Sequence, residues 1–161
     1  MSVKIIFIDV DGVLNCSKTT RRLCVSDTHM FVDTRKVLRL REIVERTGAE
    51  LILSSSWRLG TNPKAFYLDR AALSELKNEF RRLRCPLWID ITPDLPHSKR
   101  EKEIYSWLLL HPEVDKFIIL DDVGEELAFY KDHLVLTDPR VGLNKERMEL
   151  AIKMLGEKED G

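Results

Sequence analysis

The chain should fold as an α/β protein, a parallel sheet with helices on both faces. Three observations predict this. Apolar runs at residues 3–8, 50–53 and 117–120 are hydrophobic on both faces, as strands in the middle of a parallel sheet are. Stretches with helical spacing separate these runs, so successive strands are joined by right-handed crossovers. Each run also ends in polar residues: Asp9 and Asp11, then Ser54 to Ser56, then Asp121 and Asp122. The carboxyl ends of strands are where open α/β sheets bind ligands.

The first strand runs from about Val3 to Ile8. Residues 15–33 read as polar and irregular, with Lys18, Arg21 and Arg22 close together. Asp33 or Thr34 caps a helix carrying Val37, Leu38, Leu40, Ile43 and Val44, which Gly48 ends. Glu50 to Ser56 is a second strand that stops at hydroxyls, and Arg58 to Pro63 is loop. The next helix shows Leu73, Leu76, Phe80 and Leu83 at helical spacing. Pro86 to Ile91 is an edge strand bounded by Pro86 and Pro93. Ser98-Lys-Arg-Glu101 reads as a capping box for a helix with Ile104, Trp107 and Leu108 inward, stopped before Pro112. Phe117 to Asp122 is a further strand, followed by a short helix near 125–130 and a strand at 133–136. The last helix starts near Asn144 and buries Met148, Ala151, Ile152 and Leu155. Residues 1–156 form one domain in this reading, and 157–161 a charged flexible tail.

With 161 residues, 43% hydrophobic and 33% charged, the chain can bury a substantial core. A net charge of −1 gives no global attraction to nucleic acid or membrane, so any basic contact surface must be local. Cys16, Cys24 and Cys85 form no metal-type spacing and suit a reducing cytoplasm. Met1-Ser-Val-Lys4 leads straight into the first strand, so a cytoplasmic protein without a signal peptide is expected. Neither a membrane nor an obligate protein partner is expected.

The chemistry starts at the first strand. Alternation puts Asp9 and Asp11 on the same side at its carboxyl end. Two carboxylates so close repel unless a cation sits between them or one holds a proton. A magnesium ion together with a proton-transfer role satisfies both demands. A calcium loop also opens on Asp-x-Asp, but it needs glycine at its sixth position and glutamate at its twelfth. Here Gly12 falls too early and Thr20 stands at the twelfth place, which excludes it. His29, His97, His111 and His133 have no zinc spacing, and no phosphate-binding Gly-Lys-Ser/Thr loop is present. Trp57 could stack on a base or anchor a loop.

Asp9-Val-Asp-Gly-Val-Leu-Asn15 resembles motif I of the haloacid-dehalogenase (HAD) superfamily, in its phosphohydrolase branch. Leu53-Ser-Ser-Ser-Trp-Arg58 resembles motif II, and Ile118-Ile-Leu-Asp-Asp122 resembles motif IV. Residues 100–108, with Arg100, Glu103, Ile104, Trp107 and Leu108, resemble the segment carrying motif III. The combination is similar to the small HAD domains of "Swiss army knife" RNA-repair proteins and to the phosphatase halves of polynucleotide kinase-phosphatases. It spans nearly the whole chain.

The resemblance implies a Rossmann-like three-layer α/β/α sandwich, HAD-like, with strand order fifth, fourth, first, second, third. It implies a Mg2+-dependent phosphatase with Asp9 as nucleophile, forming an aspartyl-phosphate, and Asp11 as general acid and base. Mg2+ would be held by a carboxylate oxygen of Asp9, the backbone carbonyl of Asp11, and Asp121 with or without Asp122. Ser55 would bind the phosphate, with Ser54 the close alternative, since a one-residue slip decides which faces in. Lys99, Arg100 or Lys102 would supply positive charge, and Arg100 fits the pattern best.

A cap over the site is expected to be minimal or absent, because Asn15 to Asp33 is short and Leu59 to His97 is mostly core. An open site admits a phosphate at the end of a large substrate. Lys18, Arg21 and Arg22 on one lip, with Arg58, Lys99 and Arg100 on another, could grip a phosphodiester backbone. The expected partner is therefore a phosphorylated substrate such as a nucleic-acid end. A nucleotidase or small-molecule phosphatase is the alternative, and a catalytically silent phosphate- or metal-binding module is the rival of another class. A dehalogenase is disfavoured, because halide leaves unprotonated and needs no Asp11.

Overall fold

A computed structural model describes residues 2–17, 19 and 32–160. Lys18, Arg21, Arg22, Cys24 and His29 lie outside the described residues, and so does most of the stretch read as too short for a cap. Five strands, β1 (Lys4–Ile8), β2 (Glu50–Leu53), β3 (Asp90–Ile91), β4 (Lys116–Asp121) and β5 (Leu134–Leu136), form one sheet. Its order is β3-β2-β1-β4-β5 and every pairing is parallel, as expected from the sequence.

The both-faced apolar pattern of β1 has a direct structural counterpart. Ile6 and Ile8 pack into a cluster with α1 (Thr34–Thr47), α2 (Tyr67–Arg82) and α4 (Lys145–Leu155). Ile5 and Phe7 face the opposite way, against Ile104 and Trp107 of α3 (Arg100–Leu109). Phe7 meets the Trp107 ring edge-on at 5.4 Å. α2 buries Leu73, Leu76 and Phe80, so the long segment between the second and third strands belongs to the core.

Caps fix the helix ends. Asp33 accepts from Arg35 N at the start of α1, and Gly48 closes it in the left-handed region at φ 73°. Asn144 accepts from Arg147 N at the start of α4. Beyond Gly156 the chain stays beside α1, with Lys158 N donating to Arg46 O at 2.8 Å.

Four local expectations are corrected. The capping box of Ser98 and Glu101 does not form: Lys99 is the N-cap of α3, without a side-chain bond. The helix starts one residue later than the motif needs, and Glu101 instead accepts from Phe129 N at 3.1 Å. Residues 56–61 are a 3₁₀ helix rather than loop, because the Ser55 hydroxyl caps them by accepting from Trp57 N. The short helix after β4 is also 3₁₀ and extends over Glu125–His133, with non-helical backbone at Leu127 and Tyr130. The third strand shrinks to two residues, since Trp88 turns away to pack edge-on against Phe80 at 5.5 Å.

Cys85 is buried, and burial pushes its thiol up to about 12, which leaves it inert. Among the described residues no helix is long and apolar enough to cross a membrane.

Candidate active site

Sheet register assembles the site. Ile8 stands level with Leu53 of β2 and Leu120 of β4, and Leu53 with Ile91 of β3. One residue further on, Asp9 N donates to Leu120 O, Ser54 N to Ile8 O and Thr92 N to Leu53 O, at 2.9–3.1 Å. Thr92, Ser54, Asp9 and Asp121 therefore form a row across the carboxyl edge of four strands. Their direction follows from alternation: each lies two residues after Asp90, Ile52, Phe7 or Ile119. Phe7, Ile52 and Ile119 pack on the α3 side, and Asp90 accepts from Trp107 Nε1 of α3 at 2.8 Å. The whole row faces α3.

α3 answers with Arg100. Its Nη1 lies 2.6 Å from Asp121 Oδ2 and 3.2 Å from Asp9 Oδ2, at the mouth of the row. Asp121 also accepts from Val123 N at 3.1 Å through its other oxygen. Oxygens of Asp9, Asp121 and Asp122 all lie within 4.8 Å of one another. Such crowding has an electrostatic cost. Burial, with the Asp121 charge beside it, pushes the Asp9 carboxyl up to about 8, although Arg100 pulls the other way. Burial and Asp121 also raise Asp122 above its ordinary value. Burial alone would pull the Arg100 guanidinium down, but Asp9 and Asp121 hold it above its usual range. One guanidinium does not offset three carboxylates. An all-oxygen donor set carrying this much excess negative charge fits a hard divalent cation such as Mg2+.

Gly12 lets the acids come this close. It adopts φ 78°, and a Cβ there would run into the Asp122 carboxylate. Thr137 Oγ1 fixes the same turn by donating to Gly12 O at 2.7 Å.

Asp11 is placed differently from Asp9. β1 ends at Ile8 and residues 11–14 are turn, so strand alternation does not govern its side chain. Its carboxylate is exposed and held at both oxygens, Oδ2 by Trp57 Nε1 and Oδ1 by Asn15 Nδ2, each at 2.9 Å. Asn15 in turn accepts from Gly12 N at 2.9 Å.

The two serines separate cleanly. Ser55 lies on the far side of the strand from Asp9, and its hydroxyl caps the 3₁₀ helix. Ser54 is on the side of Asp9 and buried, yet its Oγ has no hydrogen-bond partner among the described residues. The same is true of the Thr92 hydroxyl next to it in the row. A buried hydroxyl without a partner is costly and rare, so both hydroxyls are left able to bond a ligand oxygen. Lys99 is exposed at the start of α3 and its side chain bonds to none of the described residues.

Arg58 does not grip a substrate. It is 4% exposed, and its guanidinium donates to Ser55 O, Thr92 O and Glu103 Oε2. The interior claims it because Thr92 O would otherwise be buried without a donor and the Glu103 carboxylate without a countercharge. Sequence reasoning missed Thr92 altogether, and it named Trp57, Asn15 and Glu103 without the partners they have here. For Thr92 a signal existed: it too is a polar residue directly after an apolar strand. For the Trp57 indole and Glu103 no local pattern pointed to their partners.

A family model described as the HAD domain in Swiss Army Knife RNA repair proteins matches residues 5–148. No curated protein and no solved structure matches the chain.

Proposed function

Since the chain belongs to the family of HAD domains in Swiss Army Knife RNA repair proteins, we propose that it is a Mg2+-dependent phosphomonoesterase working through an aspartyl-phosphate on Asp9. The observation that carries the reading is the clustering of Asp9, Asp121 and Asp122 oxygens beside Arg100, with the Ser54 hydroxyl, unpartnered among the described residues, next in the row.

Asp9, Asp121 and Asp122 would hold the cation, with the Asp11 carbonyl as the further donor the family resemblance implies. When bound, it supplies positive charge that keeps Asp9 ionised and lets an anion approach an anion. The residues divide the remaining work. An Asp9 oxygen attacks phosphorus while the ester oxygen departs with its bonding pair and takes a proton from Asp11. Asp11 then removes a proton from water, the water oxygen attacks the phosphoryl group, and Asp9 is released with orthophosphate. Arg100 and the Ser54 hydroxyl hold the non-bridging phosphate oxygens, Arg100 by charge and Ser54 by a donated hydrogen bond.

The substrate class proposed is a nucleic acid with a terminal phosphate, supported by the family description. Arg58 no longer contributes to that argument. Lys99 stays available, and Lys18, Arg21 and Arg22 lie outside the described residues.

The test is hydrolysis of a generic phosphate ester with Mg2+ and with a chelator, then of 3′- and 5′-phosphorylated oligonucleotides against mononucleotides and sugar phosphates. Turnover that depends on Mg2+ and favours oligonucleotides is expected. Hydrolysis untouched by the chelator overturns the mechanism, and a preference for free small esters overturns the substrate class. Asp11→Asn should lower turnover by about 10²–10⁴-fold, the usual worth of a general acid–base. With an activated leaving group it should accumulate phosphorylated Asp9, detectable by mass spectrometry. A tryptic map without that adduct counts against the roles given to Asp9 and Asp11.

A further inference from the structure

Trp57 has a task the phosphohydrolase reading does not assign. We propose that it is the positioning residue for Asp11, holding the acid–base carboxylate in one orientation. The proposal rests on that reading for the role of Asp11, and on geometry for the contact.

Asp11 is exposed and sits in a turn, where a carboxylate with no fixed donors rotates freely. A proton donor must lie within hydrogen-bond reach of the departing oxygen, so a rotating carboxylate spends most of its time misplaced. The Trp57 indole N–H meets Asp11 Oδ2 at 2.9 Å, while Asn15 takes Oδ1. Asn15 is itself part of the turn that carries Asp11, so it moves with that turn. Trp57 comes from the other side of the site, 46 residues along the chain.

The indole is well anchored for this. Its body is 7% exposed and packs in the cluster below the sheet. Its backbone N–H bonds the Ser55 hydroxyl at 3.2 Å, which caps the first turn of the 3₁₀ helix. The next residue, Arg58, ties that turn to Ser55 O, to Thr92 O of the neighbouring chain segment and to Glu103 of α3. Arg100, which touches Asp9, lies one helical turn before Glu103 on α3. The acid–base group and the phosphate-side cation are thus referenced to one rigid dipeptide, Trp57-Arg58. An indole N–H suits the task chemically. It donates one directed hydrogen bond and does not itself exchange a proton near neutral pH.

The experiment uses Trp57→Phe, which keeps an aromatic body and removes the N–H. First-turnover release of the alcohol is measured for an alkyl phosphate, which leaves only if protonated, and for a nitrophenyl phosphate, which does not need the proton. The alkyl ester should slow by about 10²-fold, the cost of misplacing a reacting group by about 1 Å. The nitrophenyl ester should be nearly unchanged in its first turnover, and the substrate concentration that half-saturates the first-turnover rate should hold for both. Equal slowing of both esters shows a structural role only and overturns the proposal, as does no slowing of either.

A second measurement needs no activity. The Trp57 indole 1H–15N signal, assigned in the wild-type protein, should move on Asp11→Asn, while those of Trp88 and Trp107 stay in place. An unmoved Trp57 signal overturns the proposal whatever the kinetics show. A wild-type protein that hydrolyses neither ester refutes the phosphohydrolase reading, and that result is distinct from the failure of either Trp57 test.

Discussion

Asp9→Asn should stop phosphate release, by about 10⁴-fold or more, the scale of loss when a covalent nucleophile is removed. The same substitution should make the metal-free protein melt at a higher temperature at pH 8. The second effect follows from linkage. The folded Asp9 carboxyl is raised from 3.8 to about 8, by burial first and by Asp121 second. A raised carboxyl binds its proton more tightly in the folded state than in the unfolded one. Its contribution to stability is therefore complete below about pH 4 and lost as pH climbs to about 8. The metal-free wild type should lose melting temperature across that window, and Asp9→Asn, with nothing to ionise there, should lose much less. Mg2+ should reverse the ranking. It binds the wild-type acids and stabilises the fold by mass action, more at pH 8 than at pH 5, whereas the variant lacks one ligand. Melting curves at several pH values, with Mg2+ and with chelator, decide this. A wild type whose melting point ignores Mg2+ at pH 8 contradicts the cation site.

Arg58→Ala is expected to cost about 3–5 kcal/mol of stability, the range for stranding one partner of a buried ion pair. For a chain of this size that is roughly a 10 °C drop in Tm. The pair of Arg58 with Glu103 is 2.6 Å long, with both side chains under one-tenth exposed. Removing Arg58 leaves the Glu103 carboxylate buried with the Leu95 N–H as its one remaining donor among the described residues, takes the side-chain donor from Thr92 O, and leaves Ser55 O with the backbone N–H of residue 58 alone. The double variant Arg58→Met with Glu103→Leu should recover part of the loss, because no stranded charge remains. Thr92 O still lacks its donor, so recovery stays incomplete. Denaturant titration of the single and double variants checks this. A loss below about 1 kcal/mol for Arg58→Ala, the scale of a surface pair, would show that the guanidinium is not held as described.

Much of this molecule was legible in the chain itself. The run Lys4 to Ile8 is apolar at every position but the first, which only a strand covered on both faces tolerates. That places it centrally, and the resemblance to HAD domains implied the strand order that the sheet has. Asp33 and Gly48 could be named as helix ends because each acts on backbone within a few residues of itself. Asp9, Asp121 and Asp122 could be brought together on paper because each follows an apolar strand, and parallel strands end at one edge.

Tertiary structure alone decided the rest. Period-two alternation sorts Ser54 and Ser55 onto opposite faces but does not say which face looks toward α3; the register of Ile8 with Leu53 does. Arg58 looked like a free cation because its carboxylate partner lies 45 residues away on a helix whose approach no local pattern encodes. The capping box at Ser98 was a sound local signal that lost to a distant one, since Glu101 found the Phe129 N–H across the interface of α3 with the 3₁₀ segment. The Trp57 bond to Asp11 is of the same kind, spanning the whole crossover from β1 to β2 rather than one turn. Local patterns carry information about backbone within a few residues. Side-chain partners chosen across the fold depend on where whole helices settle, and packing sets that.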